Sequence, residues 1–82
     1  MTIGSALTSF IQTEIVGDER GIAVDANTRL IDSGLIDSMA LMQIIAFIEE
    51  QTAVRISDDE VMPDNFQTVG SMERLIERLR SR

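Results

Sequence analysis

From Ser38 onward, apolar residues fall at Leu41, Ile44, Ile45 and Ile48. That spacing is one buried face of a helix reaching to about Gln51. Two other stretches keep the same period. From Thr2 to about Val16 it passes through Ile3, Leu7, Phe10, Ile11 and Ile15, and after Thr68 through Val69, Met72, Leu75, Ile76 and Leu79. Three amphipathic helices in 82 residues leave little chain for anything else. The nearest thing to a strand, Val54 and Ile56 around Arg55, has no partner and reads as a connection that buries both. The class is therefore all-α. The expected architecture is a single domain, residues 1–82, built as a four-helix bundle with a short third helix and a long loop between helices one and two.

Local signals place the boundaries. Thr2 or Ser5 is suited to cap the first helix, and Gly17 to stop it in the left-handed region. Asp18 to Asp37 shows no steady period and reads as the long loop, anchored by Ile22, Val24, Leu30 and Ile31. Asp37 stands where the second helix needs an N-cap, and Gly34 lets the chain turn into it. Ser57-Asp58-Asp59-Glu60 fits a capping box, predicting a third helix over Asp58 to Met62, with Pro63 just after it. Phe66 is expected to plug the core, and Thr68 to cap the last helix. Along that helix Glu73 and Glu77 are expected to pair with Arg74, Arg78 and Arg80, while Arg78, Arg80 and Arg82 complement its dipole.

Composition excludes several classes of function. A chain this short buries only about 60–65% of its unfolded surface, so no large catalytic cavity is expected. Without Cys or His there is no thiolate, imidazole base or disulfide in the chain. Fourteen Asp and Glu against seven Arg give a net charge of −7. Such a surface disfavours nucleic acid and favours partners with basic patches. The acids at Asp58, Asp59, Glu60 and Asp64 lack the twelve-residue loop of an EF-type calcium site and read as a solvated helix start; no metal site is expected. No membrane span or basic leader is visible, so the chain is expected in the cytoplasm, and it is read as a monomer.

Ile-Asp-Ser occurs twice, at 31–33 and 36–38. Ser33 is followed by Gly34 and no helical pattern, so it lies in the loop. Ser38 is followed at once by the periodic helix. From the residues alone, Asp37 and Ser38 do no more than start that helix. However, Gly34-Leu35-Ile36-Asp37-Ser38-Met39, followed by Leu41, Ile44, Ile45 and Glu49-Glu50, resembles the phosphopantetheine attachment region of acyl carrier proteins. The Leu-Ile-Asp-Ser-Met wording is closer to D-alanyl and other aminoacyl carriers than to fatty-acid carriers. The resemblance runs from about Leu30 to Leu79.

That resemblance implies that Ser38 receives a 4′-phosphopantetheine arm from coenzyme A, attached by a separate phosphopantetheinyl transferase, with Asp37 holding the local geometry. The arm carries the thiol that the chain lacks, and cargo rides on it as a thioester. An adenylating acyl or aminoacyl ligase loads it, and a downstream acyltransferase or synthase takes it off. Ser38 is then an attachment point and not a nucleophile, so the chain is a carrier and not an enzyme.

Partner docking is expected on the outer face of the second helix, at Met39, Met42, Gln43, Ala46, Glu49 and Glu50. In the family this face is usually acidic from its first turn, whereas the matching early positions here are the neutral Ala40 and Gln43, a departure that speaks against fatty-acid synthase partners. The cargo is accordingly expected to be an amino acid or small acyl group. The alternative reading is an unmodified helical module that binds a partner through Met39, Met42 and Ala46.

Overall fold

Helix α1, Ile3–Phe10, begins where Thr2 Oγ1 accepts the Ser5 N–H at 3.1 Å. It buries Leu7 and continues as a π-helical segment, Ile11–Val16, that buries Ile11 and Val16. Gly17 then ends it at φ +74° and ψ 175°, backbone that side chains other than glycine resist. The computed structural model describes residues 2–17 and 21–81. Asp18, Glu19 and Arg20, at the start of the expected loop, and Arg82 at its far end of the chain, lie outside the described residues.

From Gly21 to Asp37 the chain has no helix. Val24, Leu30 and Ile36 are buried, while Ile22 and Ile31 are half-buried. Ile22, Val24, Leu30 and Ile31 thus anchor the loop as expected, and Ile36 joins them. Gln12, inside the π-helical segment, braces this loop. Its amide donates to Ile22 O at 2.9 Å and accepts the Val24 N–H at 2.7 Å.

Helix α2, Ser38–Thr52, buries Ala40, Ile44, Ile45 and Ile48. Ile44, Ile45 and Ile48 are buried as expected, and only the first position of the stripe differs. Leu41 is half-buried and Ala40 is inside. Ala40 therefore offers nothing to a partner, which corrects its assignment to the outer face. Phe47 stacks on Phe10 of α1, with ring centroids 4.3 Å apart. Ala53, at φ +59°, closes the helix, and Val54 is buried in the connection beyond it.

The third helix is not where the capping box placed it. Ser57 makes no side-chain capping bond, and Asp58–Glu60 forms only a single 3-10 turn. Helix α3 is Pro63–Phe66, with proline at its start. The cause is steric: the residue before a proline is pushed out of the helical region. Met62 is extended, at φ −126° and ψ 145°, so no helix can run through it. Proline's fixed φ and missing N–H instead suit a first helical position. Phe66, fully buried, plugs the core as expected.

Helix α4, Val69–Arg80, opens on a capping box between Thr68 and Ser71 and buries Val69, Met72, Leu75 and Ile76. The Glu–Arg pairs expected outside it do not close among the described residues. Arg78 donates instead to Asn65 Oδ1 at 3.0 Å, tying α4 to α3. Among the described residues there are four α-helices and no strand, matching the all-α bundle.

Candidate functional site

The turn that delivers Ser38 is built from the loop's own backbone. Gly34, at φ +78°, donates its N–H to Ile31 O at 3.0 Å, and Ile36 donates to Leu30 O at 3.1 Å. Residues 30–36 therefore fold back on themselves and bury Ile36. Asp37 follows in extended conformation, and its Oδ1 accepts the Ala40 N–H at 2.8 Å. The expected cap is present. Among the described residues the Asp37 carboxylate makes no hydrogen bond to the neighbouring hydroxyl.

Ser38 is the first residue of α2 and is exposed. Its hydroxyl has no hydrogen-bond partner among the described residues. Ser33 differs sharply. Its Oγ donates to Arg29 O and accepts the Leu35 N–H at 3.4 Å. The two Ile-Asp-Ser copies thus leave one serine free and the other tied into the loop.

An apolar groove of about 380 Å³ opens beside Ser38. Ile31, Ile36, Leu41, Val61, Met62 and Pro63 line it together with Asp37 and Ser38. Met39, Met42 and Met62 are respectively 73%, 62% and 48% exposed, and among the described residues they are the large apolar side chains most open to solvent. All three stand near Ser38. Met39 follows it, Met42 lies one helical turn further on the same face, and Met62 lines the shared groove. Exposed methionines make adaptable contacts, so this collar suits a protein that meets several partners. A third helix over Asp58 to Met62, as the capping box predicts, hides Met62 as a site residue. The signal was the proline at 63, which makes residue 62 extended.

Of the remaining expected docking residues, Gln43, Ala46 and Glu50 are exposed. They border a second groove, floored by the stacked Phe10 and Phe47. Glu49 is half-buried, and its carboxylate accepts the Ile56 N–H at 2.8 Å. It fastens the connection that follows α2, a role the sequence did not reveal.

Comparison with known proteins bears directly on this site. A family model described as the phosphopantetheine attachment site matches residues 13–76. The chain belongs to the acyl carrier protein family. It is 32% identical over 77 residues to the probable acyl carrier protein PigG of a Serratia species, covering 94% of this chain and 87% of that one. It is 33% identical over 69 residues to the acyl carrier protein AsbD of Bacillus anthracis, covering 84% of this chain and 76% of that one. A chain in a crystal structure described as an FAD-dependent dehydrogenase superposes with a TM-score of 0.74 at 32% identity, covering 87% of this chain and 99% of that chain.

This carrier therefore takes a covalent phosphopantetheine, and its surface fits the group. A phosphodiester link needs a hydroxyl that is exposed and uncommitted, which Ser38 has. An apolar groove beside that hydroxyl suits the aliphatic part of the arm. Among the described residues, no helix is long and apolar enough to cross a membrane.

Proposed function

We propose that the chain is an acyl or aminoacyl carrier whose phosphopantetheine arm is attached at Ser38. The observation that carries this reading is the contrast between the two serines: the Ser38 hydroxyl is exposed and unbonded, while Ser33 is bonded into its turn. A phosphopantetheinyl transferase supplies the arm from coenzyme A. The arm brings the thiol on which cargo is held as a thioester. Asp37 fixes the start of α2, and the exposed methionines receive the partner enzymes. The chain serves those enzymes as substrate. Membership of the carrier family weighs against an unmodified interaction module.

Cargo selection follows from the same surface. Besides Ser38, the exposed positions in the first turns of α2 are Met39, Met42 and Gln43, none of them acidic. An adenylating ligase for an amino acid or small acyl group is the proposed loading enzyme. The likeness to a chain in an FAD-dependent dehydrogenase structure supports a flavin dehydrogenase as one downstream partner.

Labelling with coenzyme A and a broad-specificity transferase tests the attachment. Ser38→Ala is expected to abolish labelling with the helical signal intact, and Ser33→Ala to leave it in place. Labelling that survives Ser38→Ala overturns the assignment. For the cargo, the armed protein is offered to adenylating ligases with amino acids and, separately, to a fatty-acyl ligase. Efficient loading by the fatty-acyl ligase alone reverses the preference.

A further inference from the structure

We infer that Gln67 is a positioning residue for the attachment serine, holding the 30–36 turn in the arrangement that presents Ser38. The inference rests on Ser38 being the attachment point. Gln67 lies between the end of α3 and the Thr68 cap of α4. Its Oε1 accepts the N–H groups of Ile31 and Asp32, both at 3.0 Å. Its Nε2 donates to Asp32 Oδ1 at 3.1 Å, and its backbone carbonyl accepts the Leu30 N–H at 2.8 Å. One residue thus grips three consecutive residues of a loop far away in sequence.

Those three residues govern the turn. The carbonyls of Leu30 and Ile31 accept the N–H groups of Ile36 and Gly34, the two bonds that close it. Ile36 then leads directly into the Asp37 cap. Gln67 also sets the apolar groove. Its lining includes Ile31 and Ile36 of the loop and Val61, Met62 and Pro63, which run into the start of α3. The Gln67 bonds join the end of α3 to that loop and so tie these two segments together. Nothing in the mechanics of the bundle requires a glutamine here. The buried neighbours Phe66 and Val69 supply the packing.

The test compares the full chain with Gln67→Met, which keeps the length of the side chain and removes its hydrogen bonds. A looser turn lowers the fraction of molecules ready for transfer, which raises KM and leaves the saturated rate alone. For phosphopantetheinyl transfer, KM is expected to rise about fivefold with kcat within about twofold. Amide exchange is expected to quicken at Ile31 and Asp32 and onward through Gly34 to Ser38. Gln12→Met is the matched control, because Gln12 braces the same loop upstream at Ile22 and Val24. It is expected to leave KM unchanged.

An unchanged KM in Gln67→Met, or an equal rise in Gln12→Met, overturns the inference. Should Gln67→Met not fold, Gln67→Glu retains the acceptor for both N–H groups, loses the donor to Asp32 and sets a second carboxylate against it. It is expected to raise KM, and a wild-type KM overturns the inference. If the wild-type chain is not labelled at Ser38, the carrier assignment fails on its own. The positioning role is then decided by exchange alone: quickening through Gly34 to Ser38 supports it, and quickening confined to Ile31 and Asp32 overturns it.

Discussion

A carboxylate next to a serine either activates the hydroxyl or leaves it alone. Asp37 makes no hydrogen bond to the Ser38 hydroxyl among the described residues, and its Oδ1 instead accepts the Ala40 N–H. Asp37→Ala is expected to cost about 1 kcal/mol, since it removes a helix cap. In a domain this size that lowers the melting temperature by roughly 4–8 °C. Asp37→Asn, which also caps well, is expected to melt within a few tenths of that cost of the wild type. A thermal melt of the three proteins decides this, and an Asn variant as unstable as Ala contradicts the capping account. Asp32 behaves differently. Hydrogen bonds from Arg29 and Gln67 hold its carboxyl below the ordinary value of 3.8. A depressed folded value means the tether is present above that ordinary value and is lost as pH falls through the folded one. NMR titration is expected to place Asp32 below 3.8 and to move it up towards 3.8 in Gln67→Met. Of these residues, Asp37 and Ser38 were legible in sequence because a cap is local. Gln67 was not, because its partners lie on a distant loop and no spacing rule links them.

Helix boundaries were legible wherever a local signal had no rival. Thr2, Asp37 and Thr68 all cap as expected. At Ser57 two signals competed, a capping box and a proline six residues on, and the proline won because its exclusion of helix at Met62 is steric. Met62 consequently stands open beside Ser38, where a helix ending at 62 was expected. The end of the first helix was legible from Gly17, whereas its π-helical form was not. Gly17→Ala places a side chain at φ +74° and ψ 175°, backbone that glycine alone adopts readily. The expected cost is about 1–3 kcal/mol in denaturant unfolding. A variant as stable as wild type shows that the backbone there relaxes.

The three long helices and α3 close on one apolar core in which Phe66 is the largest fully buried side chain. Phe66→Ala is expected to cost about 3–5 kcal/mol, a large part of the stability of a small domain. Chemical denaturation measures it, and a loss below about 1 kcal/mol contradicts the plugging role. The charge of −7 acts over the whole surface. Raising salt is expected to slow second-order labelling by the transferase, since screening weakens attraction to a basic partner. Rates independent of salt contradict steering by charge. At this level the all-α class was legible because three apolar stripes with helical period admit no other packing. The groove beside Ser38 was not, since it is made by segments that meet only when folded. The most direct measurement is the intact mass of the folded protein before and after incubation with coenzyme A and a phosphopantetheinyl transferase, followed by peptide mapping. The account predicts the gain of a single phosphopantetheine, located on Ser38. A folded protein that gains nothing, or that carries the group on Ser33, contradicts it.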